Sequence, residues 1–294
     1  MIWGLIILLI VAAVAVQLLI AWAVLRQLGR PDRRSAGHAL AMGEPTTPQE
    51  AGYGAEELTV ELDDRPPIDL WLVTGGRPDG PVMLLVHGWG DSRTTALRWL
   101  PQLAPHASTV VLFDLRGHGD SPVATSTWGS GDRADVVRIV QALRRPQRKL
   151  VLVGTSMGGT VAIDAGREAP VDGIIADSPC RDPQDSVYRT LRKRRLPAWL
   201  TTKLVFAWLH RRQPDLRDTD AADHARELSV PLLVIHGEAD VTVPVDHARM
   251  IADSARAGRL VVFEEAIHLG ACESDPDRYA AAISKFLGEN QLSR

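Results

Sequence analysis

Gly154-Thr155-Ser156-Met157-Gly158 follows the apolar run Leu150 to Val153 and precedes a helix-compatible stretch from Gly159 to Ala169. The order strand, tight turn, helix turns a common pentapeptide into a chemical signal. Small residues on both sides of Ser156 let strand and helix approach closely, and the turn lifts the serine hydroxyl over the positive end of the helix dipole. A hydroxyl is a weak nucleophile near neutral pH and needs a base. Of nine histidines, His268 suits the role best. It lies on a short loop after the run Leu260 to Phe263, ahead of a C-terminal helix expected over Pro276 to Leu287. An imidazole base needs an acid to fix its tautomer. Asp240, in the loop His236-Gly237-Glu238-Ala239-Asp240 after the run Leu232 to Ile235, fits. Glu238 on the same loop and Asp177 at the end of an earlier run are its rivals. The loop His87-Gly88-Trp89-Gly90 can aim a backbone N–H at a developing oxyanion, so the amides of Trp89 and Met157 are the expected donors. His87 is expected to hold that loop. Asp114 and Arg116, in Asp114-Leu115-Arg116-Gly117-His118-Gly119-Asp120-Ser121, are expected to brace their turn by bonding local backbone or each other. Bland readings compete with each assignment: a glycine-rich turn with a solvated serine, and hydrogen-bonded loop histidines.

The elements that position these residues are legible as short apolar runs without alternation: Val82 to Val86, Thr109 to Phe113, Leu150 to Val153, Gly173 to Ala176, Leu232 to Ile235 and Leu260 to Phe263. Such runs suit strands buried on both faces, hence a mainly parallel sheet with crossover helices. Ahead of them, Leu58 to Leu62 and Ile68 to Val73 read as neighbouring strands across a turn from Asp63 to Pro67.

The first segment, Ile2 to Leu25, has no charged residue, and Gln17 is its one strongly polar residue. At about 1.5 Å per residue it spans a hydrocarbon core of roughly 30 Å. Trp3 and Trp22 lie near its ends, where indoles sit well at headgroup level. A cleaved signal peptide fits poorly, since no basic residue precedes the run and no small-x-small site ends it; a buried core helix is the third reading. Arg26, Arg30, Arg33 and Arg34 follow, and basic residues beside a span stay in the cytoplasm. The expectation is a single-pass protein of the cell membrane with a cytoplasmic catalytic domain. Residues 26–54 read as a basic flank and a Pro/Gly-rich linker that leaves the domain over 55–290 able to fold alone.

The 294 residues, of which 45% are apolar, suffice for one well-packed domain with an attachment. A net charge of -3 gives no hint of a nucleic-acid partner. Cys180 and Cys272 do not stand in a metal-ligand spacing and read as free thiols, a single disulfide being the alternative. No cofactor or metal is expected.

Taken together, the motifs around His87, Asp114, Ser156, Asp240 with Val243-Pro244, and His268 resemble the α/β-hydrolase fold superfamily from about Leu58 to Leu287. The resemblance implies an eight-stranded, mostly parallel sheet with helices on both faces. It also implies Ser156, Asp240 and His268 as a triad with the Trp89 and Met157 amides as oxyanion hole. An N-terminal membrane segment ahead of a compact hydrolase is similar in layout to the Bem46-like, or ABHD13-like, subgroup. The activity implied is hydrolysis of an ester, thioester or amide through an acyl-enzyme, on a small-molecule or lipid acyl substrate. A serine peptidase, an acyltransferase, or a non-catalytic binding protein of this fold are the alternatives. One stretch departs from the minimal fold. The insert at about 180–228 carries Arg189, Arg192, Lys193, Arg194 and Arg195, the apolar run Leu196 to Leu209, then Arg211 and Arg212. It reads either as core-packing helices with solvated flanks or as a lid that touches anionic headgroups.

Overall fold

The computed structural model describes residues 2–62, 65–123 and 125–293. Eight strands form one sheet in the order β1-β2-β4-β3-β5-β6-β7-β8. They are β1 (Ala55–Leu62), β2 (Arg65–Thr74), β3 (Val82–Val86), β4 (Thr109–Phe113), β5 (Leu150–Thr155), β6 (Gly173–Asp177), β7 (Leu232–Gly237) and β8 (Gly258–Phe263). β2 runs antiparallel to its two neighbours, and every pair from β4 through β8 is parallel. β5, β6 and β7 are buried along their whole lengths, which is why their sequences read as unbroken apolar runs rather than alternations. The expected turn from Asp63 to Pro67 is shorter than its sequence suggested: β2 already begins at Arg65, and Asp63 and Asp64 lie outside the described residues.

The helices are α1 (Ile2–Gly29), α2 (Ala36–Met42), α3 (Leu100–Leu103), α4 (Ser130–Leu143), α5 (Met157–Ala165), α6 (Pro183–Lys193), α7 (Ala198–Arg212), α8 (Ala221–Glu227), α9 (Val245–Ser254), α10 (Ala271–Ser274) and α11 (Pro276–Glu289). One sheet face buries α4, α5, α8 and α9 through residues such as Ile139, Val161, Ala225 and Ile251. The other buries α3 and α11 through Leu100, Leu103, Tyr279, Ile283 and Phe286.

A third apolar cluster lies outside the sheet. Ala21 and Leu28 of α1 pack with Val187 and Leu191 of α6 and with Ala198, Val205, Phe206 and Leu209 of α7. α1 therefore has two unlike halves. Ile2 to Val16 is exposed on every side, while Gln17 to Gly29 lies along the insert, where Gln17 Nε2 donates to Thr201 Oγ1 at 2.7 Å.

The segment read as a linker is also more ordered than its composition suggests. It contains α2, closed by Gly43 in the left-handed region (φ 72°). Arg34 pairs with Asp91 at 3.1 Å, Arg34 O accepts from Ser92 Oγ, Arg33 donates to Val123 O, and Ala39 is buried. The segment is tied to the sheet domain by specific contacts of its own basic residues.

Candidate active site

Ser156 sits between β5 and α5 with φ 52° and ψ -119°. A non-glycine residue at positive φ is strained, and the surroundings must hold it there. Two glycines make that possible. A Cβ on Gly158 would stand 2.0 Å from Val86 O, and one on Gly154 would stand 2.3 Å from Gly158 O. Only glycine lets α5 come this close to β3 and β5. Ser156 N–H donates to Asp177 O at 2.8 Å, which ties the turn to β6.

The three side chains singled out by sequence come together. His268 Nε2 lies 2.9 Å from Ser156 Oγ, and His268 Nδ1 lies 2.6 Å from Asp240 Oδ2. They are 112 and 28 residues from His268 along the chain, so the sheet's strand ends, not local structure, assemble them. Asp240 is held from all sides: its Oδ1 accepts from Thr242 N–H at 2.8 Å and Val243 N–H at 2.9 Å, and His236 Nε2 stands 3.3 Å from its Oδ2. Burial pushes the Asp240 carboxyl pKa up, but hydrogen bonds from His236 and His268 and the nearby imidazole charge outweigh that and hold it well below the usual carboxylate range. The rival carboxylates are engaged elsewhere. Glu238 is exposed and pairs with Arg249 at 3.0 Å. Asp177 is buried and accepts from Ser178 Oγ at 2.9 Å and Tyr279 O–H at 3.0 Å.

The loop after β3 brings Trp89 beside Ser156, and both line one cavity. Among the described residues, neither the Trp89 nor the Met157 backbone N–H is engaged in a turn or side-chain hydrogen bond. Met157 opens α5, where the first N–H groups have no intrahelical partner. His87 bridges two loops: its Nε2 accepts from Leu115 N–H at 3.0 Å, which leaves Nδ1–H to donate to Gly88 O at 2.8 Å. Asp114 accepts from Arg93 N–H and Asp120 N–H. Arg116 pairs with Asp135 at 2.6 Å rather than with Asp114. Burial, with the neighbouring His87 ring and the Arg33 guanidinium, takes the His118 pKa down to about 3, so this imidazole is neutral and acts as a packed ring against His87.

Sequence reasoning missed a supporting layer. Ser178 Oγ donates to Asp177 and accepts from Leu269 N–H at 3.3 Å, next to His268. Ser178 and Leu269 both hold positive φ, 52° and 58°. The signal available was Asp177-Ser178 at the end of the strand beside β5; what the pair holds is visible only once α11 brings Tyr279 across.

The cavity over Ser156 has a volume of about 580 Å³. Its apolar wall combines Ile20, Val24 and Leu28 of α1 with Val187 and Leu191 of α6. Its lining also includes the polar residues Arg133, Asp164, Arg167, Asp218 and His224. Trp89 and Trp128 line it too, and their indole N–H groups are buried without a partner among the described residues. A cavity beside Ser156 lined by both apolar and polar residues has room for an apolar chain and a polar group at once.

The model of the alpha/beta hydrolase family matches residues 83–282, and the chain belongs to that family. It is 28% identical to the pimeloyl-[acyl-carrier protein] methyl ester esterase of Aeromonas salmonicida, across 71% of this chain and 96% of that one. It is 28% identical to human protein ABHD12B across 63% of this chain and 53% of that one, consistent with the narrower layout resemblance. With the magnesium-chelatase 30 kDa subunit of Rhodobacter capsulatus it shares 32% identity, spanning 42% of that protein's length. In fold it is similar to an esterase of Pyrococcus furiosus, with a TM-score of 0.71 at 21% identity over 89% of this chain and 98% of that one. It is also similar to a membrane phospholipase A, with a TM-score of 0.60 at 20% identity over 99% of this chain and 98% of that one.

Proposed function

We propose that this hydrolase cleaves an acyl ester through an acyl-enzyme on Ser156 and works attached to a membrane by α1. The observation that carries the reading is the series Ser156 Oγ, His268, Asp240 at 2.9 Å and 2.6 Å. In the first half-reaction Ser156 Oγ attacks the ester carbonyl while its proton passes to His268 Nε2. Asp240 keeps the Nδ1 proton of His268 in place and stabilises the imidazolium. The developing oxyanion is met by the N–H groups of Trp89 and Met157. His268 then protonates the departing alkoxide. In the second half-reaction His268 takes a proton from water as its oxygen attacks the acyl carbonyl, then returns that proton to Ser156 Oγ as the acid leaves. Esters are favoured over other acyl compounds by the relatives of similar length, which include a methyl ester esterase.

The membrane attachment rests on α1. Apolar side chains exposed on every side from Ile2 to Val16 suit hydrocarbon. Retention of the segment is supported by its second half, which contributes to the cavity wall and to the apolar cluster with α6 and α7; a cleaved leader would leave both open. The arginines after it support a cytoplasmic position for the hydrolase domain.

The test is labelling of the full-length protein with a fluorophosphonate, followed by a panel of acyl esters of graded chain length. Labelling is expected at Ser156 alone and abolished in Ser156→Ala; labelling at another serine overturns the assignment. Carbonate washing tests the attachment separately, and the protein is expected to stay with the membrane.

A further inference from the structure

The two faces of α7 are unlike in a way that packing in water does not explain. One face, with Ala198, Thr201, Thr202, Val205, Phe206 and Leu209, is buried against α1 and α6. The opposite face should then be polar. Instead it exposes Trp199, Leu200, Leu204 and Trp208, with the two tryptophans 63% and 45% exposed. Cations cap this stripe: Lys203 Nζ lies 4.3 Å from the Trp199 ring, and the Arg212 guanidinium 5.2 Å from the Trp208 ring. Arg26 stands 5.6 Å over Trp22 of α1 in the same manner. In the chain the stripe is flanked by Arg192, Lys193, Arg194 and Arg195 before it and by Arg211 and Arg212 after it, with Lys203 within it, all exposed, Arg194 lining the cavity as well. Among the described residues none of these seven is in a salt bridge, whereas Arg189 one turn earlier pairs with Asp185. An indole-rich stripe rimmed by unpaired cations fits the boundary between acyl chains and anionic headgroups.

The length of α1 places α7 at that boundary. A hydrocarbon core of roughly 30 Å takes about 20 helical residues. The half of α1 exposed on every side runs only from Ile2 to Val16, about 22 Å at 1.5 Å per residue. The next residues, Gln17 to Ala21, must complete the span. Gln17 is where α7 begins, and its amide is satisfied by Thr201. The first turns of α7 therefore lie level with the inner edge of the leaflet.

We propose that the outward face of α7, with Trp199, Leu200, Leu204, Trp208 and its basic flanks, docks on the surface of an anionic lipid leaflet. The proposal rests on the reading of α1 as a membrane span. It adds a second contact with the same leaflet and brings the apolar wall of the cavity to the bilayer, so that a lipid ester reaches Ser156 without crossing water.

The full-length protein is reconstituted into phosphatidylcholine vesicles with or without phosphatidylglycerol. Hydrolysis of p-nitrophenyl butyrate from water is compared with that of a long-chain fluorogenic ester dissolved in the vesicle. The variant Trp199→Ser/Leu200→Ser/Trp208→Ser changes no residue of the cavity. It is expected to keep the soluble-ester rate within about twofold and to lose about tenfold or more on the embedded ester. The variant Lys203→Glu/Arg211→Glu/Arg212→Glu is expected to abolish any preference for phosphatidylglycerol, at about fivefold per basic residue at low salt. Depth is read without chemistry: brominated lipid is expected to quench the wild-type emission more than that of Trp199→Phe/Trp208→Phe. Equal loss on both esters, no loss on either, or equal quenching each overturns the docking face. Absence of soluble-ester turnover by the wild type would instead defeat the hydrolase reading, and release by carbonate the anchor, while the quenching comparison still reports on α7.

Discussion

The cavity over Ser156 is built from two regions held by different forces. Its floor is the C-terminal edge of the sheet, where Ser156, Asp240 and His268 are fixed by backbone hydrogen bonds, a strained turn and a buried carboxylate. Its roof is the layer of α1 and α6, backed by α7 and joined mainly by apolar contacts and, among the described residues, by the Gln17–Thr201 bond between α1 and α7. Directional bonds fix atoms to within tenths of an ångström, which proton transfer requires. Apolar contact fixes only shape and volume, which suffices to hold an acyl chain. On the proposed function, the same cavity joins a floor that tolerates almost no change to a roof whose composition sets what is bound.

That contrast can be broken first at the floor. Ser156→Ala is expected to lower kcat by about six orders of magnitude with KM little changed, measured on a soluble ester. Asp240→Asn is expected to cost about four orders, because the amide selects the wrong tautomer of His268; Glu238→Gln should leave kcat near wild type. An acid at Glu238 would reverse that order. Asp240 also links the floor to stability. Its pKa is lower in the folded chain than in the unfolded one, so the stabilisation is complete above about pH 4 and is lost as pH falls below that. Acid unfolding of Asp240→Asn is therefore expected to be less steep below about pH 4 than that of the wild type.

The roof should respond in stability and chain-length preference instead. Phe206→Ala removes a ring 2% exposed that touches Trp128, and is expected to cost about 3–5 kcal/mol in denaturant unfolding. Val24→Trp, which fills the α1 wall, is expected to lower kcat/KM for long-chain esters about tenfold while sparing short ones, by loss of apolar burial. A chain beginning at Tyr53 removes that wall, the α1 contacts of α7 and the Arg34–Asp91 pair together. It is expected to aggregate rather than behave as a soluble enzyme, whereas deletion of residues 2–16 alone should keep the soluble-ester rate. The smallest effect is on thiol reactivity. Burial pushes the Cys180 thiol up to about 12, so iodoacetamide at pH 8 is expected to modify it only after unfolding.

The sequence alone marked out the strands and singled out Ser156 and His268, because each signal was local. A buried parallel strand must be apolar throughout, a serine turn pressed between strand and helix must be flanked by glycine, and a loop carboxylate or histidine follows its own strand. Tertiary structure alone decided among Asp240, Glu238 and Asp177, since all three end or follow strands and only packing orients one toward His268. It also decided that Arg116 pairs with Asp135, that Tyr279 braces Asp177 from α11, and that the Pro/Gly-rich segment after α1 is bound to the domain. Most of all, it decided that α1 walls the cavity. An unbroken apolar run announces hydrocarbon, but nothing in its period says that Ile20, Val24 and Leu28 face a cavity beside Ser156. That partner lies more than 120 residues away in the chain, and apolar contact, unlike a capped turn or a buried strand, leaves no motif behind.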